Sequence, residues 1–119
     1  MPVVAVIGAS SNRSKYGNKA VRAYVRQGWT VYPINPTEAA VEGIPALRRV
    51  TEIPGPVDRA TFYVPAAVGI SILPDIKSKN IPELFINPGA ESDALLAEAA
   101  RLGLDPILAC AIVDIGEMP

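Results

Sequence analysis

Residues 3–8 of the chain read Val-Val-Ala-Val-Ile-Gly, a continuous apolar and largely β-branched run that ends in glycine. Such a run is typical of a strand that is buried on both faces, as strands of parallel sheets are. The spacing then becomes helical, with an apolar stripe from Ala20 to Val25, and Gly28 is a suitable helix end. A buried strand followed by an amphipathic helix is the first half of a β-α-β unit.

The same alternation continues along the chain. Helical spacing recurs over residues 67–79, where Pro74 predicts a kink or a split, and over residues 91–102. Further short apolar runs predict strands at 30–34, 60–64, 84–86 and 107–109. Because crossovers between parallel strands are right-handed, we predict an α/β fold with a Rossmann-like, doubly wound parallel sheet of five strands in the order 3-2-1-4-5. The length predicts a single domain over residues 1–119.

The stretch from Thr37 to Pro56 is irregular, with a short extended piece near Ile44 to Ala46 and a helical turn near Arg48 to Glu52. In a doubly wound sheet, ligands bind beyond the carboxyl ends of the strands, where the strand order reverses. The predicted order places that reversal between the first and fourth strands. The site is therefore expected in the loops that follow Ile7, Ile34, Val64 and Ile86.

Composition excludes several classes of function. The chain has no histidine, one cysteine (Cys110) and a net charge of -1. Without histidine, Ser-His-Asp, Cys-His and phosphohistidine chemistry lack their central residue, and one cysteine forms neither an internal disulfide nor a cysteine zinc cluster. No apolar run reaches the roughly 18 residues of a membrane span, and the slightly negative charge disfavours nucleic acid. We expect a soluble, cytoplasmic protein without nucleic-acid or membrane partners.

The turn after the first strand combines positive charge with short polar side chains. Residues 8–17 read Gly-Ala-Ser-Ser-Asn-Arg-Ser-Lys-Tyr-Gly, and the first 37 residues carry five bases and no acid. Gly8 permits close approach of a ligand, and the following helix offers unpaired N–H groups at its positive end. Arg13 and Lys15 add full charges. These features suit a phosphate or diphosphate; the alternative is an ordinary turn with an N-capping serine.

This turn does not match the familiar nucleotide motifs. After Gly8 the next glycine is Gly17, so the turn is neither G-x-G-x-x-G nor a P-loop. A dinucleotide enzyme also places an acid at the end of the second strand to hold the ribose diol, whereas Asn35 and Pro36 stand there. NAD is therefore disfavoured, and an NADP-type site without the acid stays open.

Several short motifs follow one another in a characteristic order: Val6–Ser10, Val31–Pro36, Gly43–Pro45, Ile53–Pro54 with Val57–Asp58, and Tyr63–Ala66. Together they resemble the small stand-alone CoA-binding proteins, and they are similar to the N-terminal CoA-binding domain of the succinyl-CoA synthetase alpha subunit. The resemblance extends from Val3 to about Ile112. It implies a Rossmann-like domain that holds coenzyme A by its phosphates and adenine.

The loop chemistry and the resemblance together define a candidate binding set at the ends of four strands. Its members are Gly8, Ala9, Ser10, Ser11, Arg13, Lys15, Tyr16, Asn35, Pro36, Val64, Pro65, Ala66, Asn87 and Pro88. The last segment fits loosely, because Asn87-Pro88-Gly89 stands where synthetase-like chains have Thr-Glu-Gly. Since the chain has no histidine, the phosphohistidine-dependent ligase activity is not implied.

Three functions are consistent with these observations. The first is a non-catalytic module that binds coenzyme A or an acyl-CoA. The second is an NAD(P)-binding domain of the oxidoreductase type, and the third is the CoA-binding subunit of an enzyme completed by a partner chain. A second copy or another protein is a candidate partner. Cys110 lies just past the fifth strand, where it serves either as a small apolar residue or as the partner of CoA's thiol in a mixed disulfide.

Overall fold

A parallel sheet of five strands lies at the centre of the computed structural model, which describes residues 1–119. In chain order the strands are β1 (Val3–Ile7), β2 (Thr30–Ile34), β3 (Ala40–Val41), β4 (Ile44–Pro45), β5 (Arg59–Phe62), β6 (Glu83–Ile86) and β7 (Ile107–Leu108). The helices are α1 (Tyr16–Arg26), α2 (Ala66–Ser78), α3 (Asp93–Arg101) and α4 (Ala111–Asp114), and Val50–Glu52 form a 3₁₀ turn. The order across the sheet is β2-β1-β5-β6-β7, while β3 and β4 form a separate antiparallel pair.

Alternate residues of β1 face two separate apolar layers. Ala5 and Ile7 belong to the cluster that contains α2 and α3 side chains such as Leu73. Val4 and Val6 belong to the other cluster, which contains side chains of α1 and α4. The strand is thus buried on both faces, as its unbroken apolar run predicts.

The fold class is confirmed, but one strand was assigned to the wrong place. The predicted third strand, β5, lies directly beside β1, with Val4 opposite Arg59, rather than at the edge beyond β2. The edge position is taken by Leu47, which forms a parallel bridge to Ile34. If Leu47 is counted as a one-residue edge strand, the order across the sheet becomes Leu47-β2-β1-β5-β6-β7. The first five of these positions then follow the Rossmann-like order 3-2-1-4-5, with Leu47 as strand 3, β5 as strand 4 and β6 as strand 5.

The irregular stretch after β2 is the cause of this difference. Leu47 donates its N–H to the Pro33 carbonyl at 2.9 Å and accepts the Asn35 N–H at 2.9 Å. The chain therefore returns to the β2 edge before it crosses over, and the next crossover reaches the far side of β1. The predicted extended piece and helical turn in this stretch are confirmed as β4 and the 3₁₀ turn. The predicted split at Pro74 is wrong, because α2 continues through it to Ser78.

Two glycines bring neighbouring backbones against the loop between β1 and α1. Gly8 has φ +87°, and a Cβ there would lie 2.6 Å from the Tyr63 carbonyl oxygen. A Cβ on Gly17, in the first turn of α1, would lie 2.2 Å from the Gly8 carbonyl oxygen. Both distances are shorter than any relaxed contact allows, so only glycine fits. The first turn of α1 is thereby fixed directly over the end of β1.

Gly17→Ala should destabilise the fold, although alanine is the better helix former by about 1 kcal/mol. The added methyl would overlap a backbone oxygen and force the helix to move, and overpacking of this kind costs about 1–3 kcal/mol. We expect the melting temperature to fall by several degrees in thermal unfolding. Val25→Ala in the same helix, where the side chain is 49% exposed, is the control and should change little. Equal melting temperatures for both variants would contradict the steric argument.

Candidate functional site

A cavity with a volume of about 680 Å³ opens at the carboxyl ends of β1, β5 and β6. It brings together most of the predicted binding set: Gly8, Ala9, Ser10, Lys15, Tyr16, Asn35, Val64, Pro65, Asn87 and Pro88. Ser11, Arg13, Pro36 and Ala66 do not line it. The walls also contain residues that were not predicted: Ser14, Gly17, Phe62, Tyr63, Gly89 and Ala90. Ser14 and Gly17 belong to the quoted turn and were identifiable there; the others adjoin predicted strand ends.

The N-terminus of α1 faces this cavity without a cap. Lys15 is the N-cap residue, its side chain caps nothing, and the first turn contains no acid. The N–H groups of Ala9, Ser10, Tyr16 and Gly17 donate no hydrogen bond within the chain. These unpaired donors and the positive end of the helix dipole form an anion-binding arrangement.

Helix α3 differs from α1 in having an N-terminus that is capped by a side chain. The Ser92 hydroxyl accepts a hydrogen bond from the Leu95 N–H at 3.0 Å, and Asp93 lies in the first turn. The N-capping serine that was the alternative for the first turn is thus found at α3 and not at α1. The difference favours α1 as the place where an external anion binds.

Local hydrogen bonds hold the β1–α1 loop in shape. The Ser10 hydroxyl accepts from the Asn12 N–H at 3.0 Å, and the Asn12 side-chain oxygen accepts from the Ser14 N–H at 3.0 Å. Asn18, which is fully buried, donates to the Ser10 carbonyl at 2.8 Å. Sequence analysis missed Asn18, although a short polar residue on the buried face of α1, three positions before Val21, was the available signal.

The two predicted asparagines serve the scaffold. Asn35 donates to the Ala9 carbonyl at 2.8 Å and accepts from the Thr37 N–H at 2.8 Å, which joins the β1 and β2 loops. Asn87 is 3% exposed and uses its whole amide group internally. It donates to the Thr61 hydroxyl at 2.6 Å and the Phe62 carbonyl at 2.8 Å, and it accepts from the Ala111 N–H at 2.9 Å.

The charged residues of the loop differ in whether they are paired. Arg13 lies 3.5 Å from a carboxylate oxygen of Glu42. Ser11 donates its N–H to Glu38 at 2.9 Å. Lys15 lines the cavity and belongs to none of the ion pairs in the structure. Among the residues that line the cavity, Lys15 is the one that carries a charge.

A second cavity, with a volume of about 410 Å³, adjoins the first. The two share Tyr16, Tyr63, Asn87 and Pro88, and the second adds Cys110, Val113 and Pro119. The Tyr63 hydroxyl oxygen is buried without a hydrogen-bond partner. Burial of this unpaired hydroxyl raises its pKa further above neutral pH.

Two further observations concern metal binding and membrane-spanning helices. No group of three or more histidine, cysteine, aspartate or glutamate residues is placed to hold a metal ion. None of the helices has the length and apolar character needed to pass through a bilayer.

Comparison with known proteins identifies relatives. The model of a family described as CoA binding domain matches residues 2–115. The chain is 46% identical over 65 residues to the alpha subunit of an ADP-forming acetate–CoA ligase II from Pyrococcus furiosus, a match that covers 52% of this chain and 14% of that protein. It is 42% identical over 64 residues to an ADP-forming acetate–CoA ligase I from Archaeoglobus fulgidus, covering 54% of this chain and 9% of that one. The matched parts are thus small fractions of the curated relatives.

Solved structures with the same architecture were also found. A conserved hypothetical protein from Pyrococcus furiosus superposes with a TM-score of 0.87 at 31% identity, covering 96% of this chain and 99% of that one. A dinucleotide-forming acetyl-coenzyme A synthetase 1 from Candidatus Korarchaeum cryptofilum, in complex with phosphate and ADP, gives a TM-score of 0.77 at 26% identity. That match covers 90% of this chain and 25% of the synthetase.

Tyr63→Phe should leave the free energy of unfolding unchanged or raise it by about 1 kcal/mol, because an unpaired buried hydroxyl costs about 1–3 kcal/mol. Tyr24→Phe is the matched control. It removes the same atom from a buried side chain, but the Tyr24 hydroxyl accepts a hydrogen bond from Arg59 at 3.3 Å, so stability should fall by about 1 kcal/mol. Urea denaturation measures both. A larger loss for Tyr63→Phe than for Tyr24→Phe would show that the Tyr63 hydroxyl is paired.

Proposed function

The chain belongs to the CoA-binding domain family, and we propose on that basis that residues 1–119 act as one non-catalytic domain that binds coenzyme A or an acyl-CoA. The observation that carries the proposal is the uncapped N-terminus of α1, which faces the main cavity beside the unpaired Lys15. The chain is homologous to part of the acetate–CoA ligases described above.

The diphosphate of the ligand would lie against the first turn of α1. Four unpaired N–H groups converge there, those of Ala9, Ser10, Tyr16 and Gly17. The absence of an acid from this turn leaves the positive end of the helix dipole uncompensated. The Lys15 ammonium would add a full charge at the same place. Close approach of the ligand is possible because Gly8 carries no side chain.

The shape of the cavity supports an elongated ligand over a mononucleotide. The two adjoining cavities together follow one continuous surface past Tyr16 and Pro88. Pro65, Pro88 and Gly89 provide rigid walls with little polar side chain, which suit an adenine ring or a pantetheine arm. In this arrangement the nucleotide occupies the first cavity, and the arm extends towards Cys110 in the second.

The side chains around the main cavity support binding rather than acid–base chemistry. Its ionisable side chains are Lys15, Tyr16 and Tyr63, and none of its walls is formed by a carboxylate. Burial raises the pKa of Tyr63, which makes its hydroxyl a weaker acid than an ordinary tyrosine. A pair of groups with opposed protonation states, which general acid–base catalysis needs, is not assembled there.

A second candidate function is the CoA-binding part of an enzyme completed by a partner chain. It is favoured by the relative from Pyrococcus furiosus, which is the alpha subunit of an acetate–CoA ligase and of which the match covers only 14%. In this case the second cavity would open towards the partner, which would supply the reacting groups.

Coenzyme A should raise the melting temperature, whereas NAD, NADP and ATP should raise it less. A ligand at 100 times its dissociation constant stabilises the folded state by about 2.7 kcal/mol, which corresponds to several degrees for a domain of this size. Thermal unfolding against all four compounds at equal concentration measures this order. A rise with NAD and none with coenzyme A would overturn the proposal in favour of the dinucleotide alternative.

Lys15→Ala should weaken the binding of both coenzyme A and dephospho-CoA by about tenfold or more, because loss of one charge-assisted hydrogen bond costs about 1.5–3 kcal/mol. Equal weakening is expected because the lysine faces the diphosphate, which both compounds carry. Arg13→Ala is the matched control: it removes the same charge two positions away, from a residue that pairs with Glu42 and lies outside the cavity. It should change either affinity less than about twofold. Titration calorimetry measures all four values, and a larger effect of Arg13→Ala would refute the assignment.

A further inference from the structure

A carboxylate lies at the rim of the proposed site, where sequence analysis found none. Glu38 accepts hydrogen bonds from the Ser11 N–H at 2.9 Å and from the Ser11 hydroxyl. The Asn35 side-chain amide approaches the same carboxylate at 3.4 Å. The two Ser11 hydrogen bonds lower the pKa of the Glu38 carboxyl, which is ionised at neutral pH as a glutamate ordinarily is.

The backbone directs Glu38 to this place. The Asn35 side-chain oxygen accepts from the Thr37 N–H at 2.8 Å and from the Glu38 N–H at 3.0 Å. This turn folds the chain after β2 back towards the β1–α1 loop. The same Asn35 donates to the Ala9 carbonyl and lines the cavity, so the Glu38 carboxylate lies next to the cavity wall.

The position of Glu38, shortly after β2, is one at which other doubly wound sheets place a carboxylate that binds a ligand. Proteins that bind dinucleotides place a carboxylate after the second strand, where it accepts hydrogen bonds from the ribose hydroxyls. Asn35 and Pro36, which directly follow β2, argued against such a group here. The carboxylate comes instead from Glu38, two residues further along.

The chemistry at this point favours hydroxyls over phosphate. An ionised carboxylate only accepts hydrogen bonds, so it suits the donors of a free ribose diol and repels a phosphate. The Ser11 N–H and hydroxyl, which would otherwise suit a phosphate, are already engaged by Glu38. Of the nearby cations, Arg13 is paired with Glu42, which leaves Lys15 as the opposing charge.

We propose that Glu38 sets the nucleotide preference of the site at the ribose, disfavouring a 3′-phosphate and favouring free ribose hydroxyls. The inference rests on the proposed function, because it takes the nucleotide half of the ligand to lie with its diphosphate on α1. Dephospho-CoA, which lacks only the 3′-phosphate, is then bound at least as tightly as coenzyme A. Glu38 is a specificity-determining residue in this arrangement, and the affinity ratio of the two compounds is its signature.

Titration calorimetry of coenzyme A and dephospho-CoA on the wild-type chain and on Glu38→Gln tests the proposal. Glutamine keeps one oxygen that accepts from the Ser11 N–H, removes the charge and replaces the second oxygen by an NH₂ group that can donate to the Ser11 hydroxyl. Glu38→Gln should raise the affinity for coenzyme A relative to dephospho-CoA about fivefold at low salt, and the gain should shrink at high salt as charges are screened. Asp105→Asn is the matched control, since it removes the same charge from an exposed residue before β7, at the end of the sheet opposite to the site. It should leave the ratio unchanged.

The outcomes distinguish failure of the Glu38 inference from failure of the proposed function. If both compounds bind and their ratio is the same in the wild type and in Glu38→Gln, this inference is wrong and the proposed function stands. An equal shift in Asp105→Asn would also overturn it, because net charge and not position would be responsible. If neither compound binds to the wild type, the proposed function fails and this inference fails with it.

Discussion

The contact between Gly17 and the Gly8 carbonyl determines where everything else in the site can lie. A single Cβ at position 17 would fall 2.2 Å from that oxygen, so the first turn of α1 rests directly on the backbone that leaves β1. This approach places the unpaired N–H groups of the helix beside those of Ala9 and Ser10, which also have no partner within the chain. It also brings Asn18 within reach of the Ser10 carbonyl, at 2.8 Å. The anion-binding arrangement is therefore a consequence of backbone packing rather than of any one side chain.

Amide side chains join the loops around the site. Asn18 links the Ser10 carbonyl to Glu42, Asn35 links the loop after β2 to the Ala9 carbonyl, and Asn87 connects β5 with the start of α4. The other end of α4 is held by Arg59, which lies 2.8 Å from Asp114 and over the Phe85 ring at 4.3 Å. The wall of the second cavity is thus fixed at two points. In the proposed function, a ligand would meet a site whose walls are already joined by these contacts, which would limit the entropic cost of binding.

Sequence and structure agree where the determining interactions are local. The apolar run of β1 and the stripe of α1 report burial directly, and they sufficed to predict the layers, the parallel sheet and the loop that carries the cavity. The place of β5 was missed because the edge strand is reduced to Leu47, a single residue without an apolar run. Asn18 and Glu38 were missed for a related reason. Their roles come from partners at Ser10 and Ser11, and no local pattern specifies such contacts.

The structure also shows that the charges of the N-terminal third are not isolated from the acids of the rest of the chain. The five bases of the first 37 residues suggest a strongly positive end, but acids from later in the chain pair with two of them. Arg13 pairs with Glu42 and Arg26 with Glu117. Near the cavity, Lys15 lies in no ion pair, although its charge acts on the Glu38 carboxyl that holds Ser11. If the proposed function is correct, affinity for an anion would depend mainly on oriented N–H groups at short range, and these would be screened by salt far less than a cluster of exposed cations.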